Sequence, residues 1–165
     1  MGLAYKENEL DIVIQGAIAQ HGSGRDALIP ILGEINERIG FIPVEALAKI
    51  RRKLNAPEEG LFLADSHIFA VASFYQMFSL TPTGEHIIRF CASAPCHVVG
   101  GRHVIQALQE NLGIGLGETS ADGKWSLVET SCMGLCSVGP AFVIDEDIHG
   151  NVTPERVPGI LARYG

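Results

Sequence analysis

Cysteine is scarce in this chain of 165 residues: there are four, and no two of them form a Cys-x-x-Cys pair. That spacing argues against a thioredoxin-type dithiol. No stretch approaches the roughly 18 uninterrupted apolar residues of a membrane span, so any membrane association is expected to come through a partner. The opening segment, from Met1 to Leu10, lacks the apolar core of a signal peptide and the Arg/Ser richness of a transit peptide, which points to the cytoplasm. Lys6 stands where a myristoylation motif after Gly2 needs Ser or Thr. Basic residues are also in deficit, with 12 Lys and Arg against 19 Asp and Glu and a net charge of -7. This balance argues against a surface that tracks nucleic-acid phosphates. Neither a nucleophile with its base nor carboxylates with an argued pairing stand out, so the isolated chain is not expected to be catalytic.

What remains is the composition of a packed globular protein, 47% apolar and 19% charged. The length suits one domain, or a compact domain of about 80 residues with a helical companion. Residues 8–78 carry helical spacing. Asn8 is a candidate cap for a first helix with Leu10, Ile14, Ala17 and Ile18 on one face, ended by Gly22. Asp26 is a candidate cap for a second, with Pro30 in its first turn, Leu28, Ile31, Leu32, Ile35 and Ile39 aligned, and Gly40 as the stop. Pro43 suits the opening of a third, with Val44, Leu47, Ile50 and Leu54 inward, until Asn55, Ala56 and Pro57 break the pattern. After a looser stretch at 58–64, Asp65 or Ser66 can cap a fourth helix running from His67 towards Phe74. The basic run Lys49, Arg51, Arg52 and Lys53 reads as a solvated helix face, with docking onto an acidic partner as the alternative.

At Thr81-Pro82-Thr83-Gly84 the pattern changes from helical spacing to strand alternation. Residues 86–90 and 125–130 read as strands, with a helix at 100–112 between them that Gly113 ends. A third strand is expected at 141–145, a turn at 149–151, a short fourth strand at Val152 and a closing helix at 154–163. Asp145, Glu146 and Asp147 read as a solvated turn. The glycines of Gly113-Ile-Gly-Leu-Gly117 follow a helix rather than joining a strand to one, so they are expected to serve turns, not phosphate.

The cysteines fall into two pairs, Cys91-Ala-Ser-Ala-Pro-Cys96 and Cys132-Met-Gly-Leu-Cys136, separated by 35 residues. Cys91 follows the first strand directly and Cys132 follows the second almost directly. If the intervening helix is a right-handed crossover, the strands are parallel and both pairs sit at one sheet edge. A two-iron, two-sulfide cluster needs two thiolates per iron, which matches one pair each. Its charge is +6 - 4 - 4 = -2 when oxidised and -3 when reduced, so the site needs hydrogen-bond donors. Gly100, Gly101, Gly134 and Gly139 allow close backbone approach, and Pro95 and Pro140 stiffen the loops. Structural zinc is the rival reading, since four thiolates also bind zinc, although zinc ribbons favour tighter two-residue knuckles. The six histidines do not fall into the pairs that a two-cysteine, two-histidine cluster needs, and His97 reads as a neighbour of the site.

Phe74-Tyr-Gln-Met-Phe78, Pro82-Thr-Gly-Glu-His86, Gly117-Glu-Thr-Ser-Ala-Asp-Gly123 and both cysteine pairs resemble one family over nearly the whole chain. It is the small thioredoxin-like 2Fe-2S subunit beside the NADH-oxidising flavoprotein of respiratory complex I. Relatives occur in NAD-linked formate dehydrogenases and in NAD(P)-linked or electron-bifurcating hydrogenases. Ser137 stands where many of them have glycine. The resemblance implies an α/β thioredoxin-like ferredoxin domain preceded by an N-terminal helical bundle. Residues 1–80 would form the helical region for partner docking, and residues 81–165 the 2Fe-2S domain. It carries the cluster ligands onto Cys91, Cys96, Cys132 and Cys136, and places FMN and NAD(P) on a larger iron-sulfur partner subunit. The expected function is single-electron transfer within a multi-subunit NAD(P)H-linked oxidoreductase. A soluble hydrogenase or formate dehydrogenase is the expected setting; a complex I subunit or a zinc-stabilised scaffold module are the alternatives.

Overall fold

The computed structural model describes residues 7–54 and 62–165. Helices α1 (Glu7–His21), α2 (Leu28–Ile39), α3 (Val44–Leu54) and α4 (Asp65–Phe74) come first. Each turns its apolar stripe inward: Leu10, Val13, Ile14 and Ala17 from α1, Leu28, Ile31, Leu32 and Ile35 from α2, Ala46, Leu47, Ile50 and Leu54 from α3, Ile68 and Ala72 from α4. Burial of these stripes, rather than helix propensity, is the main source of stability in helices of 10 to 15 residues. Gly22 and Gly40 stop α1 and α2 in the left-handed region, at φ 88° and 87°.

Two caps differ from expectation. Asn8 lies inside α1, which begins at Glu7, and Asp26 lies in a 3-10 turn, Arg25–Ala27, that precedes α2. Neither α2 nor α4 has a side-chain cap. The sequence between α4 and the sheet is pinned by Asn36, whose amide donates to the Met77 carbonyl at 3.3 Å and whose Oδ1 accepts from Ser79 N–H at 2.9 Å. The basic run is partly internal. Lys49 pairs with Asp11 at 3.0 Å, and Arg51 Nε lies 2.6 Å from Asp65 Oδ1 in a charge contact without hydrogen-bond alignment. Arg52 and Lys53 are exposed, as a solvated face requires. The break expected at Asn55–Pro57, and residues 58–61 of the looser stretch, lie outside the described residues.

The chain divides into two units, the second beginning at Thr83. This second unit is a five-stranded sheet in the order β2-β3-β1-β4-β5. Its strands are β1 (His86–Cys91), β2 (Glu118–Thr119), β3 (Trp125–Thr130), β4 (Phe142–Ile144) and β5 (Asp147–His149). β1 and β3 are parallel, in register from His86↔Trp125 to Cys91↔Thr130, and the other pairings are antiparallel. Between β1 and β3 the chain makes a turn at Ala94–Cys96, a π-type turn at His97–Gly101 and helix α5 (Arg102–Leu112). A short helix α6 (Val157–Leu161) closes the chain between two 3-10 turns. Ile88, Phe90, Leu127, Phe142 and Ile144 from the sheet pack with Val104, Leu108, Val157 and Ile160 from these helices.

Gly84 is fixed by its surroundings. Its N–H donates to Ser126 Oγ at 2.7 Å, and a Cβ there would stand 2.7 Å from the Trp125 backbone. The last strand differs from expectation: it is 147–149, not Val152, because the chain reverses at Asp145–Glu146. Asp145 is no loose turn residue. Its carboxylate takes the Ile87 N–H and bonds His86 Nδ1, both at 2.8 Å. Among the described residues no helix is long and apolar enough to cross a membrane.

Candidate metal centre

β1 and β3 run side by side to the same edge, and a cysteine pair follows from each. Cys91 is the last residue of β1 itself, one position earlier in the loop than the sequence suggests, and pairs with Thr130. The Ala92 N–H then reaches the Thr130 carbonyl at 3.2 Å, so the loops at 92–101 and 131–140 start from one rung. This is the carboxyl edge of a parallel strand pair, where open α/β sheets collect ligands.

The pairs are unequal. Cys91 and Cys96 are 2% and 1% exposed, whereas Cys132 and Cys136 are open to solvent, and all four are free thiols. Cys132 Sγ lies 3.8 Å from Cys136 Sγ. Two thiolates on one tetrahedral metal at about 2.3 Å stand about 3.8 Å apart, so this pair has the spacing that a single iron or zinc needs. Cys91 and Cys96 influence each other's ionisation, and so do Cys91 and Cys136, one from each pair. Among the described residues no three His, Cys, Asp or Glu side chains converge as a single-ion site.

Groups from both loops act on the ionisation of the thiols. Burial alone would raise the Cys91 thiol, yet the Ser93 amide, the Cys96 thiol, the Met133 amide and the Ser93 hydroxyl together bring it below its ordinary value. Burial and the Cys91 thiol push Cys96 up, against a hydrogen bond from the Ala141 backbone. Cys136 is raised by Cys132, first through their hydrogen bond and then through charge. The Gly134 N–H points at Cys132 Sγ, 3.5 Å away. Donors from both loops thus face the thiols, and a site that must accept a dinegative or trinegative group needs them.

The glycines divide by task. A Cβ on Gly139 would stand 3.3 Å from Cys96 Sγ, and one on Gly101 would stand 2.6 Å from the Cys96 carbonyl oxygen. Gly100 and Gly134 meet no such crowding and instead hold φ of 106° and 78°, which a side chain resists. Pro95 lies in the first turn after Ser93, and Pro140 is joined to Gly139 by a cis peptide bond.

Three of the histidines have partners other than the sulfurs. The guanidinium of Arg102 lies 2.9 Å from His97 Nε2, and since arginine only donates, that nitrogen accepts and the proton sits on Nδ1. His86 bonds Asp145, and His149 bonds the Tyr164 hydroxyl at 2.9 Å.

Sequence reasoning missed two supports. Residues 150–152 brace the second cysteine loop: the Asn151 N–H donates to the Val138 carbonyl at 2.6 Å and the Val152 N–H to the Pro140 carbonyl at 3.1 Å. Gly150 permits this, because a Cβ there would stand 2.8 Å from Val138. The second is Ser93, whose amide and hydroxyl both act to lower the Cys91 thiol.

A profile of the thioredoxin-like [2Fe-2S] ferredoxin family matches residues 14–165. The chain is 38% identical over 140 residues to a subunit of the NADH-quinone oxidoreductase of Salmonella typhimurium, covering 85% of this chain and 80% of that one. It is 31% identical to HndA, a subunit of the NADP-reducing hydrogenase of Solidesulfovibrio fructosivorans, covering 83% and 76%. A crystal structure of NAD+-reducing [NiFe]-hydrogenase in the H2-reduced state superposes with a TM-score of 0.65 at 23% identity; the match spans 81% of this chain and 22% of that one. The chain belongs to the thioredoxin-like [2Fe-2S] ferredoxin family.

Proposed function

We propose that this member of the family is an electron-transfer subunit, holding one 2Fe-2S cluster on Cys91, Cys96, Cys132 and Cys136. The observation that carries the reading is the placement of two cysteine pairs at the ends of paired parallel strands, with the Gly134 N–H aimed at Cys132 Sγ. The cluster supplies reversible one-electron chemistry at low potential. The chain's own part is to bind it by four thiolates, to spread its added negative charge over the amides of Ser93, Met133, Gly134 and Ala141, and to wall off one face. Cys91 and Cys96 form the protected side, and Cys132 and Cys136 face outward, where a partner's redox group can approach.

The relatives named above belong by name to NADH-quinone oxidoreductase and to NADP-reducing hydrogenase. What their settings share is a nicotinamide couple, which moves two electrons, linked to carriers that move one. We therefore assign this chain to a multi-subunit NAD(P)H-linked oxidoreductase, beside a larger subunit that carries FMN and the nicotinamide site. The helices before Thr83 are the part we assign to holding that partner.

Chemical analysis is the direct test. The purified chain should contain iron and acid-labile sulfide in equal amounts, absorb visible light and bleach with dithionite. A colourless protein with bound zinc would establish the scaffold reading instead. Cys96→Ser should lose iron and colour together, because a hydroxyl is a poorer iron ligand than a thiolate. Copurifying subunits identify the assembly. A hydrogenase or a molybdenum or tungsten formate dehydrogenase component supports the soluble setting expected from the sequence, and a quinone-reducing membrane arm selects complex I.

A further inference from the structure

The spacing of Cys132 and Cys136 that suits one metal ion also suits attack of one sulfur on the other. Both are exposed free thiols, and their sulfurs lie 3.8 Å apart, in van der Waals contact. Their loop has room to close the remaining gap. Residues 131–135 lie between the end of β3 and the 3-10 turn that begins at Cys136, outside any strand or helix. A Cβ on Gly134, midway between the two cysteines in sequence, would meet nothing within 4 Å. A sulfur–sulfur bond of about 2.0 Å therefore needs side-chain rotation and a small shift of this loop. The other pair differs, although its sequence spacing is nearly the same. Cys91 is fixed in the β1–β3 ladder opposite Thr130, and Cys91 and Cys96 are 2% and 1% exposed. A reagent of tripeptide size cannot reach sulfurs so covered while the fold is intact.

We propose that Cys132 and Cys136 form a reversible oxidation site, closed to a disulfide by glutathione disulfide, and that the closed form takes up no cluster until it is reduced. The proposal rests on the four-cysteine reading above and adds a control on loading to it. One exposed cysteine, as thiolate, attacks a sulfur of glutathione disulfide; that S–S bond breaks, a mixed disulfide forms, and the departing glutathione takes up the proton. The second cysteine, 3.8 Å from the first, attacks the protein sulfur of the mixed disulfide and releases the second glutathione. The pair has then lost two electrons and two protons, and glutathione disulfide has gained both. A sulfur held in a disulfide is no longer a thiolate, so two of the four proposed ligands are withdrawn. An exposed disulfide is of the readily reduced kind, so a dithiol restores them. Closure also spares the pair the irreversible sulfinic and sulfonic acids.

The test uses the full-length chain, freed of iron under reductant and desalted without air. It is incubated with glutathione disulfide, capped with iodoacetamide in denaturant and cut with trypsin. That cleavage leaves Cys91 and Cys96 on residues 90–102, and Cys132 and Cys136 on residues 125–156. Peptide 125–156 should be lighter by two hydrogen atoms and uncapped, peptide 90–102 should be capped twice, and neither should carry glutathione. The oxidised chain should lose its uptake of iron and sulfide, and dithiothreitol should restore it to that of the reduced chain. Oxidation in guanidinium chloride should abolish the selectivity, because both pairs are then open. Cys136→Ser, which lacks the second thiol, should retain one glutathione on Cys132. Glutathione retained by the wild type, a disulfide in peptide 90–102 or between the two peptides, or an oxidised chain that loads like the reduced one overturns the proposal. Selectivity that persists in guanidinium chloride also overturns it, since sequence and not the fold would then be its source. A reduced chain that takes up no iron removes the four-cysteine reading and the control on loading with it, whereas a failed peptide result strikes the oxidation site alone.

Discussion

A methyl group on Gly101 would stand 2.6 Å from the carbonyl oxygen of Cys96 and 3.3 Å from the Phe90 ring. The start of α5 is thereby pressed against the backbone of a proposed ligand. Gly101→Ala must displace main chain at Cys96, and the expected cost is about 1–3 kcal/mol, the range for overpacking a filled site. Iron retention during dialysis against a chelator should fall with it. Gly159 in α6 is the control, since a Cβ there meets nothing within 4 Å. Gly159→Ala should leave iron retention unchanged, as measured by the same dialysis.

His97 adjoins Cys96 but is held by Arg102 through Nε2. His97→Ala should therefore keep the wild-type iron and sulfide content, with at most a shifted potential. Loss of half the iron or more in this variant would make His97 a ligand and break the four-cysteine assignment.

Burial depresses the His149 imidazole below its ordinary value; Asp147 opposes this, and Arg163 and Arg156 add to it. A depressed value means that the unfolded chain binds the proton more readily than the folded one. The stability that His149 contributes is present above about pH 6.5 and is lost as pH falls through the folded value. His149→Gln keeps a polar partner for Tyr164 and removes the titration. Between pH 7 and pH 5 the wild type should lose thermal midpoint by a few degrees more than this variant, on the order expected for a partly buried group. Fluorescence of Trp125 is a suitable probe, because its ring lies 6.2 Å from that of Tyr164. Equal acid losses in both proteins would remove His149 from the account.

A fragment beginning at Thr83 contains all four cysteines and the whole sheet. It should stay coloured and reducible by dithionite while losing stable copurification with the flavin-bearing partner and NADH-driven reduction. Full-length affinity in the fragment would end the division of labour assigned here. Ile50→Ala probes the same division from the other side. It empties a fully buried site among the helices, at a cost of about 2–5 kcal/mol, and should leave iron content unchanged.

The helices were legible because their burial is periodic: Leu28, Ile31, Leu32 and Ile35 recur at helical spacing and are all in the core. The parallel pair β1 and β3 was legible for a related reason, since two apolar runs flank one helix. Caps were not. Asn8 and Asp26 have the right chemistry one or two residues from the observed ends, and local packing chose the boundary. The last strand was misplaced at Val152 because that residue is buried and apolar, like a strand residue, but it braces the Pro140 loop instead. At the candidate site, spacing pointed to the four cysteines and named the glycines without sorting them. Their sorting into close approach at Gly101 and Gly139, and left-handed backbone at Gly100 and Gly134, depends on the folded path of the two loops.

The rung that joins Cys91 to Thr130 also bears on how the protein matures. These residues are 39 positions apart in sequence, and the two cysteine pairs face each other only after that long-range pairing has formed. Closing such a loop costs entropy before any ligand bond repays it. The newborn chain therefore has no complete receptor for a cluster until that pairing has formed. A donor of the cluster would meet the exposed thiols of Cys132 and Cys136 before the buried Cys91 and Cys96.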